Sequence, residues 1–134
     1  MPARNTFEYA IIRVVPRIER GEFINAGVVL FCRTRRFLGA RIELDTARLG
    51  ALAPDADIPP LQEQLDHIPL ICKGGAEAGP IGLLPQHERF RWLSAPRSTI
   101  IQASPVHCGM CDDPEAALDK LVATMVRRIS PGQR

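Results

Sequence analysis

Phe7-Glu-Tyr-Ala-Ile-Ile-Arg-Val-Val15 is followed by the ten-residue link Pro16-Arg-Ile-Glu-Arg-Gly-Glu-Phe-Ile-Asn25 and then by Ala26-Gly-Val-Val-Leu-Phe-Cys-Arg33. Two apolar runs rich in β-branched and aromatic residues flank a polar connection, the one-dimensional signature of neighbouring antiparallel strands. In the first run Phe7, Tyr9, Ile11, Arg13 and Val15 share one face, and Glu8, Ala10, Ile12 and Val14 the other. Both faces are largely apolar, so the pair belongs at the centre of a sheet covered on each side. Charge alone suggests a register that sets Val15 against Ala26 and Glu8 against Arg33, an opposite-charge cross-strand pair.

Working outward, Phe37 to Leu44 alternates apolar and polar residues and reads as a third, half-exposed strand. Asp45 is placed to cap a short helix carrying Leu49 and Leu52, which Pro54 stops. A longer helix over about 57–73 opens on Asp57-Ile-Pro-Pro and carries Leu61, Leu65, Ile68 and Cys72; Pro69 should kink it and Gly74-Gly75 should end it. Residues 76–85 read as a loop, Gln86 to Leu93 as a short helix in preference to a strand, and Ser98 to Ser104 as a fourth strand. Asp113-Pro114-Glu115 starts a last helix over about 113–129, with Leu118, Leu121, Val122, Met125, Val126 and Ile129 as its apolar stripe. Three strands before any long helix predict an α+β fold: an antiparallel or mixed sheet centred on the 7–15/26–33 pair, with helices packed on it.

The 134 residues, 46% of them apolar, suit one domain spanning 1–134 that needs no metal or disulfide staple, with flexible ends at about 1–5 and 130–134. A formal charge of +2 does not single out nucleic acid or an anionic membrane. Arginine outnumbers lysine 15 to 2, but the arginines are spread along the chain, as codon bias in a GC-rich bacterium would leave them. Without a long apolar run or a basic-then-apolar leader, a cytoplasmic protein is expected, with no membrane partner, and its four cysteines are expected as free thiols.

Several side chains are candidates for chemistry. Cys108-Gly-Met-Cys111, preceded by His107, has the spacing of a redox pair or half a zinc site, but the second half-motif and the βαβ context are missing, so neither metal nor any other cofactor is expected. Glu22 and Asn25 sit on the link between the central strands, where a functional group is held rigidly yet reachable, or where Glu22 pairs with Arg17 or Arg20. Arg13 is out of place on an apolar strand, since a buried guanidinium needs a partner. Together Arg13, Glu22, Asn25 and His107 define a candidate pocket for an enzyme or an anion-binding domain. Arg89, Phe90, Arg91 and Trp92 form a candidate interface, because arginine with aromatics is the composition that interfaces concentrate. Arg33, Arg35, Arg36 and Arg41 give a third, weaker reading as a nucleic-acid stripe, against which Asp55, Asp57, Glu63 and Asp66 count.

Four blocks taken together suggest a family: Phe7-Glu-Tyr9 with Arg13-Val-Val-Pro16; Gly21-Glu22-Phe-Ile-Asn25-Ala-Gly27-Val-Val-Leu30; Glu88-Arg89-Phe90-Arg91-Trp92-Leu93; and Ser104-Pro-Val-His107 with Asp113-Pro114. This pattern resembles a bacterial family catalogued as a domain of unknown function, over about Phe7 to Val126, and the Gly-Glu-x-x-Asn-x-Gly-Val block is its most specific part. The resemblance implies a small cytoplasmic protein with no assigned reaction. Its members are often encoded beside HipA-type kinases, which points to a regulator with a protein partner, a kinase among the candidates. It also implies that positions 108 and 111 need not be cysteine. On these grounds the chain is expected to be a non-enzymatic interaction module.

Overall fold

The computed structural model describes residues 4–129, and within them the chain forms one antiparallel sheet with helices on both faces. Strands β1 (Asn5–Val14), β2 (Ile24–Cys32) and β3 (Phe37–Ile42) come first, then helices α1 (Thr46–Leu52), α2 (Ile58–Lys73) and α3 (Gln86–Ser94). Strands β4 (Ile101–Ala103) and β5 (His107–Cys111) and helix α4 (Pro114–Met125) complete the order. The sheet runs β3-β2-β1-β4, and β5 pairs with β1 beyond β4, so β1 and β2 hold the centre. This is the expected α+β architecture. Of the ends expected to be flexible, 1–3 and 130–134 lie outside the described residues, while Asn5 already pairs with Cys111.

Strand β2 is buried at nearly every position because two layers claim its two faces. Ala10, Ile12, Val14, Val29, Phe31, Leu38 and Ala40 meet Leu49, Leu65, Ile68, Ile71, Phe90 and Leu93 from α1, α2 and α3. On the other face, Phe7, Val28, Leu30 and Cys32 meet Leu118 and Val122 of α4, with Val126 just beyond it. Leu65 and Leu118 are fully buried, each removing enough apolar surface from water to contribute about 2 kcal/mol.

The register differs from the one that charge suggested. Glu8 lies opposite Phe31, a shift of two residues that holds to Ile12 and keeps those side chains on their expected faces; beyond it Val14 lies opposite Ile24, a shift of three. Burial of the apolar face sets the pairing, and an exposed charge pair is too weak to compete. The ladder slips between Ile12 and Arg13, where Gly27 and then Asn25 are the partners and Ala26 is left over. A Cβ on Gly27 would lie 2.6 Å from the Arg41 carbonyl oxygen, so only glycine lets β3 approach here. The slip puts Asn25 beside Arg13 on the α4 face.

Other local corrections have equally local causes. Helix α1 is capped as expected, with Arg48 N–H donating to the Asp45 carboxylate at 3.1 Å. Helix α2 continues through Pro69 to Gly74, where φ is 82°. The segment read as a loop contains two 3-10 turns, Ala76–Ala78 and Pro80–Leu83, held by Gly75 N–H on the Gly82 carbonyl at 2.8 Å. The fourth strand is only Ile101–Ala103, and segment 107–111, whose cysteine spacing suggests a motif leading into a helix, is strand β5. Helix α4 stops at Met125, short of 129, and leaves Ile129 exposed.

Candidate functional site

A largely apolar surface groove lies over the β1–β4 edge, on the face covered by α2 and α3. The groove, of about 490 Å³, is floored by Ile12 and walled by Ile68, Ile71, Leu93 and Ile101. It falls within the size range of ligand and side-chain pockets. Helix α2 sends its polar edge to one rim, with Glu63 and His67 a single turn apart, because the apolar stripe Leu61-Leu65-Ile68 faces the core.

Trp92 and Arg97, from α3 and the turn after it, line the groove as well. Leu93 and Phe90 anchor α3 in the core, which turns Trp92 outward with 41% of its surface exposed. The chain then leaves α3 through Ala95-Pro96, and the Arg97 guanidinium returns to lie 4.3 Å over the indole ring, a cation–π contact. Arg97 donates to the main-chain oxygens of Trp92 and Leu93 at the end of the helix, where the dipole favours a cation. Partial burial pulls its pKa below the ordinary arginine value, and among the described residues no carboxylate pairs with it.

The four-residue interface suggested by the sequence therefore divides. Trp92 and Arg91 are exposed, whereas Phe90 is buried and stacks on Phe31 with ring centroids 5.6 Å apart. Arg89 is buried too: it donates to the carbonyls of Leu84, Ile71 and Cys72 at 2.8, 2.8 and 2.6 Å, tying α3 to the end of α2.

The second candidate set is only partly brought together. Arg13 and Asn25 face each other across the slipped register. Arg13 Cζ lies 4.3 Å over the Phe23 ring, and Asn25 donates to the Met125 carbonyl at 2.9 Å. Arg13 Nε and Asn25 Oδ1 are buried without hydrogen-bond partners. His107 instead sits opposite Tyr9, with rings 5.4 Å apart, which is four residues or about 13 Å along β1 from Arg13. Glu22 is exposed and engaged by Arg20, which lowers the pKa of its carboxyl through their hydrogen bond.

Cys108 and Cys111 lie on a strand, where side chains three apart point to opposite faces; Cys108 is exposed and Cys111 buried. The pair does not converge as a redox or zinc motif requires, and no cluster of three or more metal-ligating residues occurs among the described residues.

Sequence reasoning missed the groove roles of Glu63, His67 and Arg97. Glu63 and His67 share the polar side of an amphipathic helix, a signal present but indistinguishable from ordinary solvation. Arg97 follows a turn, and nothing in its neighbours shows that it folds back on Trp92.

Fold and groove together define a small α+β domain built on a five-stranded antiparallel sheet, with an apolar cleft on one covered face. The chain belongs to the family described as "Protein of unknown function (DUF3037)", whose model matches residues 9–126. No curated protein and no solved structure matches the chain. Among the described residues no helix is long and apolar enough to cross a membrane.

Proposed function

We propose that this domain is a non-enzymatic interaction module that binds a protein partner through the groove rimmed by Trp92 and Arg97. The observation that carries this reading is the half-exposed Trp92, stacked under an arginine that has no carboxylate partner among the described residues, at the mouth of an apolar cleft. Tryptophan and arginine beside a fillable pocket are the combination that anchors interfaces, because tryptophan buries a large area with few rotamers to immobilise and arginine adds a planar fork of donors. A HipA-type kinase is the first partner to try, on the strength of the gene neighbourhood that the resembling family implies.

The alternative, an Arg13/Glu22/His107 pocket acting as an enzyme or anion site, draws less support. Glu22 is occupied by Arg20, and His107 lies a strand length away. A nucleic-acid stripe draws less still, as Arg41 pairs with Glu115 and Asp119 and Arg35 donates to the Asp112 carbonyl.

The test is affinity capture of the tagged protein from its native host, followed by reconstitution from purified components, for wild type and Trp92→Ala. A partner that wild type retains and Trp92→Ala loses supports the reading. A partner held equally by both contradicts it.

A further inference from the structure

We infer that the segment accepted by this groove carries a carboxylate next to a large apolar side chain, the carboxylate closing on Arg97 while the apolar group rests against Ile12, Ile68 and Leu93. The inference depends on the groove being the docking site proposed above.

Its basis is the state of Arg97. Other arginines near acidic groups are already neutralised: Arg17 by Asp55, Arg127 by Glu43 and Arg128 by Asp45. Arg97 is half-buried against Trp92, and its two bonds go to main-chain oxygens. A guanidinium offers five N–H donors, so capacity remains for an incoming oxygen pair. Partial burial works against the bare charge, as its lowered pKa reflects, and a bound anion offsets that cost. The indole fixes the plane of the fork, so little side-chain entropy remains to be lost on binding.

The rest of the cleft selects for an amphipathic occupant. A lone inorganic anion would leave the Ile12 floor in contact with water, so the charged group must arrive attached to an apolar one. Glu63, which also lines the groove, repels an extended polyanion, which favours a single carboxylate held at Arg97 over a phosphate backbone.

Trp92 is the sole tryptophan, so its emission reports directly on the groove. The probes are short acetylated peptides containing Leu-Phe: one ending there with a free C-terminal carboxylate, one ending there amidated, and one in which Glu follows Leu-Phe ahead of an amidated end. Both carboxylate peptides should bind about tenfold tighter than the neutral amide, a typical value for a partly desolvated charge-assisted contact. Preference for one of the two identifies the source as a chain terminus or an acidic side chain. Arg97→Gln should erase the advantage, so that the three peptides bind this variant with equal affinity. For wild type alone, the advantage should shrink as salt is raised.

If all three peptides move the Trp92 signal with equal affinity, or the advantage survives in Arg97→Gln and in high salt, the carboxylate inference is overturned while the groove reading stands. If none moves it, both fall.

Discussion

Arg89 Nη1 lies 2.6 Å from the main-chain oxygen of Cys72, so a side chain of α3 closes the last turn of α2. Helix ends leave carbonyls without intrahelical donors, and here a buried cation supplies them. Removing it in Arg89→Ala strands the Ile71 and Cys72 carbonyls in the core. The expected loss is about 3 kcal/mol, or roughly 10 °C in Tm for a chain of this size, measured by thermal or urea unfolding. A substitution at Trp92, which is exposed, should shift Tm far less.

Two glycines should respond with opposite signs. Gly27→Ala forces a Cβ to 2.6 Å from the Arg41 carbonyl and should destabilise by about 2–3 kcal/mol. Gly50 lies inside α1, and a Cβ added there would meet nothing within 4 Å, so alanine should be accepted with a gain of about 0.5–1 kcal/mol. Paired denaturation curves check both.

These residues also show what can be read from a linear chain. The strands β1 and β2, the Asp45 and Asp113 caps and the start of α4 are fixed by neighbours in sequence, and each lies where its pattern puts it. The slip at Gly27 depends on how closely β3 approaches, which no local pattern states. Likewise Arg89 and Trp92 are three apart on one short helix, yet one is core and the other surface, because α2 happens to end over Arg89. Arg13 is legible as an oddity on a strand, and Asn25 does meet it; the separation of His107 from both is not legible, since the cysteine spacing of 108–111 masks strand β5.

Thiol chemistry should distinguish the cysteines. Cys72 is buried and its thiol pushed up to about 12, chiefly by desolvation, and burial also raises the pKa of Cys111. Cys32 is fully buried, which leaves Cys108 as the exposed thiol. Alkylation of native protein near neutral pH followed by mass spectrometry should label Cys108 rapidly and the other three only after unfolding. Equally rapid labelling of Cys111 would contradict its inward placement on β5.

Asp45 should give α1 an acid-sensitive start. The Arg48 backbone N–H, and then Arg128, hold its carboxyl below the ordinary value of 3.8. A folded pKa below the unfolded one contributes stability above 3.8, and that contribution is lost as pH falls through the folded value. Asp45→Ala should therefore lower Tm at pH 7, and its deficit relative to wild type should narrow once pH drops below 3.8.

The most direct test of the groove as the docking site uses protein labelled with 5-fluorotryptophan, which gives a single ¹⁹F resonance because Trp92 is alone in the chain. With the captured, unlabelled partner added until size-exclusion chromatography shows a complex, that resonance should shift or broaden. A complex that forms while the Trp92 resonance stays unchanged would place the partner elsewhere on the molecule and contradict the account.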